Sequence, residues 1–214
     1  MSLIVSEFYP DRYPDSWREF DRYMPGVPPK AFGFVVELPE INRWAARYRA
    51  AASYEQAVIV QYQSKETVSA YSALIRSILV WSAFERFLPI VGLSQSTSGD
   101  LLNKYDAVRV AREIQSLDED ARLFRYIQSK VTNQTLAREL DNYFRDSAFN
   151  ASYLLSAIRH IFGHGHLTPG SNETNANVTA SICNRLCDFH LQVMNFEFNE
   201  HVAEFKRMEA NGWR

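Results

Sequence analysis

The residues best equipped for chemistry lie in one stretch, running from Ser156 through Arg159, His160, Gly163, His164, Gly165 and His166 to Thr168 and Pro169. It gathers three of the five histidines beside an arginine, two glycines and a proline. Imidazole moves protons near neutral pH. Guanidinium stays charged, grips phosphate in a bidentate fashion and offsets the charge that builds at phosphorus. Together they suffice to cleave RNA without a metal. The ribose 2′-hydroxyl loses its proton and attacks the adjacent phosphate, leaving a 2′,3′-cyclic phosphate and a 5′-hydroxyl. A metal reading uses the same residues. His160 and His164, four apart, fall about 40° apart on a helix, a spacing that chelates zinc or nickel, and His166 would add a third nitrogen. Against it stand the missing His-Glu-x-x-His pattern, the break at Gly163 and the lack of an acid within the cluster. The plainest reading makes Arg159 a surface residue and the histidines cations that complement a helix C-terminus.

Position depends on the helix that carries them. Tyr153, Leu154, Leu155, Ile158, Ile161 and Phe162 recur at helical spacing, which predicts an amphipathic helix capped by Asn150 or Ser152. Gly163 and Gly165 weaken it, and Thr168-Pro169-Gly170 ends it. Five residues along a helix place Arg159 and His164 about 140° apart, so one helix does not aim both at one phosphate. A two-fold dimer with this helix at its interface would bring two arginines and two histidines to a shared cleft.

On these residues the chain resembles the HEPN superfamily of helical toxins, defence proteins and RNA-processing factors. The family signature is an arginine, a polar residue, an apolar stretch and a histidine often followed by glycine. It reads here as Arg159, His160, Ile161-Phe162-Gly163, His164 and Gly165. The resemblance covers residues from about 64 to about 208. It implies an all-α HEPN-like bundle, which the continuous run of helical-period segments extends over residues 40–208, whereas residues 1–39, rich in proline and aromatics, are expected as an irregular N-terminal extension packed on the core. It also implies a metal-independent endoribonuclease with no cofactor, with Arg159 and His164 catalytic and His160 supporting. Members often carry an acid on an early helix near the motif, a place that Glu85 fills here. The partners implied are RNA, a second copy of the chain and an antitoxin or other protein. Some members bind RNA or protein without cleaving, so a non-catalytic binding module is the alternative.

Composition narrows the remaining choices. The chain has 214 residues, 46% of them apolar and 14% aromatic, enough for a sizeable core. A formal charge of −2 exerts no global pull on nucleic acid or anionic membrane, so RNA contact requires a local basic patch. Cys183 and Cys187 sit four apart on a predicted helix and share a face with His190, an arrangement that suits packing better than a zinc knuckle. The amino terminus has no basic region followed by an apolar core, and no apolar run looks long enough to span a bilayer. A cytoplasmic protein is expected.

The rest of the chain reads as helices. Residues 1–37 carry five prolines among aromatics, with a short helix over Asp15–Tyr23 and an extended piece over Ala31–Glu37. Pro39 suits the first turn of the next helix. A long helical pattern follows from about Tyr54 to Leu88, stopped by Pro89 and Gly92. Its predicted inner stripe is Tyr71, Leu74, Ile75, Ile78, Leu79 and Ser82, and Glu85 falls on the same face. There it would pair with Arg159 or reach solvent beside Arg86. Further helices are expected over Asp100–Ser116, Asp118–Lys130, about Thr132–Phe144 and Val178–Met208. The mixed charges from Arg109 to Arg125, Asp118 among them, read as a solvated face. The last helix has the stripe Ile182, Leu186, Phe189, Val193 and Phe196.

Overall fold

Two long helices form the spine of the molecule. The computed structural model describes residues 12–60, 62, 64–144 and 150–212, with only the backbone described at Tyr143 and Phe144. Among the described residues there are nine α-helices and no strand, so the fold is all-α. In chain order they are α1 (Trp17–Tyr23), α2 (Leu38–Ser53), α3 (Lys65–Ile90), α4 (Gly99–Lys104), α5 (Ala107–Leu117), α6 (Arg122–Lys130), α7 (Gln134–Leu140), α8 (Ala151–Gly163) and α9 (Ala176–Ala210).

The central helix, α3, begins later than the sequence pattern suggests. Ser64 caps it by accepting the Thr67 amide at 3.2 Å, whereas residues 54–60 are not helical. The β-branched run Val58-Ile59-Val60 loses side-chain freedom in a helix, and no cap precedes it. At the far end Pro89 sits inside the last turn, and Gly92, with φ 74°, reverses the chain. The inner face also differs from the expected one. Of the predicted stripe only Leu74 is buried; the face turned inward carries Ala70, Ala73, Ser77, Trp81, Phe84 and Leu88. Its small residues let α9 approach closely, with Ser77 Oγ 3.6 Å from Cys187 Sγ and the Phe84 ring 4.8 Å from His190.

Those contacts also show that α3 and α9 run in the same direction. By contrast α2 runs against α3, since the Trp44 ring lies 5.0 Å from Phe87 while Arg47 donates to Ser82 Oγ at 2.6 Å. The motif helix α8 is also antiparallel to α3. Ser152 at its start meets Ser98, just past the end of α3, and Phe162 at its end meets Tyr71. By length and composition α3 is long enough to cross a membrane, correcting the expectation that no run reaches that size, but half of its most apolar window is buried by its neighbours. The core helix of a globular bundle has the same composition.

Residues 12–37 add an aromatic layer to the C-terminal half of α9. Phe20 and Phe34 are buried around Phe198 and Phe32 against Phe205, and Asn195 and Asn199 accept the amides of Asp15 and Ser16 at 2.9 Å each. Where an extended piece was expected, Pro29–Phe32 forms a turn of 3₁₀-helix. Gly33 then takes φ 81°, and a Cβ there would lie 3.0 Å from the His201 ring. The single helix expected over 100–116 is divided by Asp106, which adopts φ 65° and caps α5 through the Arg109 amide. Asp118 does not join a solvated face. It is buried, and its two carboxylate oxygens accept the amides of Leu123 and Phe124 at 2.9 Å each. On α9 the expected stripe holds through Val193, but Phe196 is 46% exposed against Tyr105; Met194, Phe198 and Val202 continue the buried line.

Candidate functional site

Asn150 fixes where the motif helix starts. Its side-chain oxygen accepts the Ser152 amide at 3.0 Å, while its Nδ2 donates to the Gln95 carbonyl at 3.0 Å and to Ser98 Oγ at 3.1 Å. The cap thus ties α8 to the polar loop that follows α3. Leu154, Leu155, Ile158 and Ile161 then take the inner face and leave Arg159 exposed.

The other end is closed by glycine geometry. Gly165 has φ 75°; its amide donates to the Phe162 carbonyl at 2.9 Å, and the His166 amide to that of Ile161 at 2.9 Å. This pair of bonds is a Schellman motif, which satisfies the last carbonyls of a helix and requires a left-handed residue. Beyond it Leu167 is buried, the Tyr126 hydroxyl donates to the His166 carbonyl, and Thr179 Oγ1 donates to the Pro169 carbonyl at 2.9 Å. With Ile161 and Leu167 anchored in the core, the turn between them projects His164 and His166 into solvent.

The motif side chains gather here. The rings of His160 and His164 lie edge to face, 4.5 Å between centroids. Partial burial, and then the charges of His164, Arg159 and His166, hold His160 below the ordinary histidine range. At neutral pH its ring is therefore a neutral proton acceptor. Among the described residues Arg159 has no ion pair, so its guanidinium is available to an anion. Arg159 and His160 open on a groove of about 420 Å³, walled by Ser94, Gln95, Asn133 and Thr135. These neutral hydrogen-bonding groups are the part that sequence reasoning missed. Ser94–Gly99 reads as a polar loop, but nothing local shows that α8 will pack beside it.

Glu85 is not with them. It is exposed on the outer side of α3, and no contact of it with Arg159 is found among the described residues. The reason is the rotated inner face of α3, which gives Phe84 and Leu88 to the core and turns Glu85 outward. The second cluster is sealed. Cys183, Cys187 and His190 are wholly buried, the cysteines are free thiols, and burial pushes Cys187 up to about 12 and His190 down to about 4. Among the described residues no three His, Cys, Asp or Glu side chains are grouped to hold a metal ion.

Comparison of the chain with family models, with curated proteins and with solved structures finds no match.

Proposed function

We propose that this chain is a metal-independent endoribonuclease of the HEPN type, cytoplasmic and acting in a toxin, defence or RNA-processing role. The observation that carries the reading is the uncompensated cluster on the last turn of α8. His164, Arg159 and His166 all lie close enough to His160 to depress its pKa, and among the described residues no acid is paired with the arginine. A bundle whose formal charge is −2 thereby presents an unpaired cation beside three imidazoles at one exposed helix end. In this reading Arg159 clamps the scissile phosphate and stabilises the charge gathering on it. His164 transfers the proton between the 2′-hydroxyl and the leaving oxygen. His160, kept neutral, orients the site. The neutral groove beside them receives the flanking nucleotide.

The chain acts as a homodimer in this proposal, because Arg159 and His164 leave α8 in different directions. Support comes from an apolar surface leading to the motif. Val58 and Val60 are each 91% exposed, and ring contacts run from Tyr62 to Tyr71 and on to Phe162. A second copy seated there would lie beside the last turn of α8. The test is incubation of purified protein with total RNA in EDTA, beside Arg159→Ala and His164→Ala. Wild type is expected to cleave and both variants to lose cleavage with their helical spectrum unchanged. Full activity in His164→Ala would overturn the mechanism, and activity lost to EDTA but restored by zinc would favour a metal centre. Tight RNA binding without cleavage would leave a binding module.

A further inference from the structure

Between α2 and α3 the chain passes over the start of α3 and closes a second polar pocket, of about 220 Å³, lined by Tyr54, Glu55, Gln56, Ser69, Arg76 and Asn184 among others. It shares no lining residue with the Arg159 groove. Its volume is below the roughly 300–1,000 Å³ of pockets that take organic ligands, and suits a small ion.

Two residues of this lining each carry a buried donor without a partner. Among the described residues neither Arg76 Nε nor Tyr54 Oη has a hydrogen bond. The rest of the guanidinium is held firmly: Nη1 donates to Asn184 Oδ1 at 3.3 Å and Nη2 to Asp188 Oδ1 at 2.7 Å. Asn184, with its carbonyl oxygen engaged, offers its Nδ2 hydrogens. Ser72 lies beside the Tyr54 phenol, but its proton goes to the Val68 carbonyl at 2.8 Å and its oxygen accepts the Ala57 amide at 3.0 Å. Glu55 is the one carboxylate in the lining. Its side chain is 75% exposed and lies 3.6 Å from Arg12, which offsets its charge.

A buried donor with no acceptor is destabilising, and a ligand rich in acceptors relieves it. Guanidinium, phenol and amide donors together match the oxygens of a compact anion. We propose that this pocket binds a small oxyanion of phosphate size, with Arg76 as its charged anchor and Tyr54 and Asn184 as neutral donors. Both unpartnered atoms are shielded from solvent, so the anion enters as the 54–56 cover lifts from α3.

The experiment is thermal unfolding of the full chain with inorganic phosphate titrated at constant ionic strength. A ligand that binds only the folded state raises Tm along a saturating curve. The proposal expects such a curve in wild type, its persistence in Arg159→Ala and its loss in Arg76→Gln. Tyr54→Phe removes an unpartnered hydroxyl, so it is expected to raise Tm without phosphate and to shrink the rise that phosphate gives. If Arg76→Gln does not fold, Tyr54→Phe decides alone. A rise linear in phosphate and equal in all variants is the general exclusion effect and would overturn the proposal. So would a rise lost in Arg159→Ala but kept in Arg76→Gln, or an undiminished rise in Tyr54→Phe.

Discussion

His160 and His190 are the same residue on two helices, and the molecule puts them to opposite uses. His190 is buried within the α3–α9 contact, its Nδ1 donating to the Leu186 carbonyl at 2.7 Å and its ring edge-on to Phe84. Around it Cys183 and Cys187 are equally enclosed, and burial holds their thiols protonated. The cluster has reactive residue types and no access. His160 stands at an exposed helix end with His164, His166 and Arg159, half in solvent and beside an open groove. Residue type alone therefore does not mark a site. Access and charge balance separate the two regions.

The largest effect separating them is expected in catalysis. Arg159→Ala and His164→Ala should each lower RNA cleavage by about two to four orders of magnitude, the usual worth of a general acid–base group or a preorganised cation. His190→Leu, in contrast, should leave the cleavage rate near that of wild type. Initial rates on a labelled RNA make the comparison. An equal loss in His190→Leu and His164→Ala would erase the distinction between the regions.

Next in size is the response to acid. Burial lowers His190 from 6.5 to about 4 in the folded state, so the folded protein binds fewer protons than the unfolded chain between those values. Stability is therefore whole above about pH 6.5 and falls as pH drops towards 4, by about 3 kcal/mol. Urea unfolding at several pH values reads this slope, and His190→Leu should flatten it. A slope unchanged in that variant would place the acid sensitivity elsewhere.

The sequence disclosed some of this architecture and withheld the rest for physical reasons. Helix existence was readable where apolar period and caps agree, as at Asn150 for α8 and Pro39 for α2. The exposure of Arg159 agrees with the plainest reading of the motif, which made it a surface residue. Phase was not readable on α3, because that helix is apolar on most sides and its inner face is chosen by small residues that admit α9. That error carried Glu85 inward on paper. The polar wall of the groove was hidden as well, since Ser94, Gln95 and Asn133 meet α8 only through tertiary packing.

Smaller effects sharpen the account. Gly165→Ala forces a side chain into a left-handed turn, at a cost of about 1 kcal/mol, and should loosen the projection of His164. Chemical denaturation measures the cost, and cleavage by the same variant is expected to fall with it. An unchanged midpoint would mean that the turn does not depend on glycine. Glu85→Gln should matter least, within about 0.5 kcal/mol in stability and with cleavage unaltered, because the side chain is exposed and away from the site. A large loss of activity there would restore it as a partner of Arg159.

The central claim is that α8 presents an RNA-cleaving site needing no metal, and the end groups of its products test it most directly. In EDTA, an oligoribonucleotide should be cut to a 2′,3′-cyclic phosphate and a 5′-hydroxyl, and the same oligonucleotide with a single 2′-deoxy residue at the cut should resist. Cleavage of the deoxy substrate, or products ending in 5′-phosphate, would contradict the account.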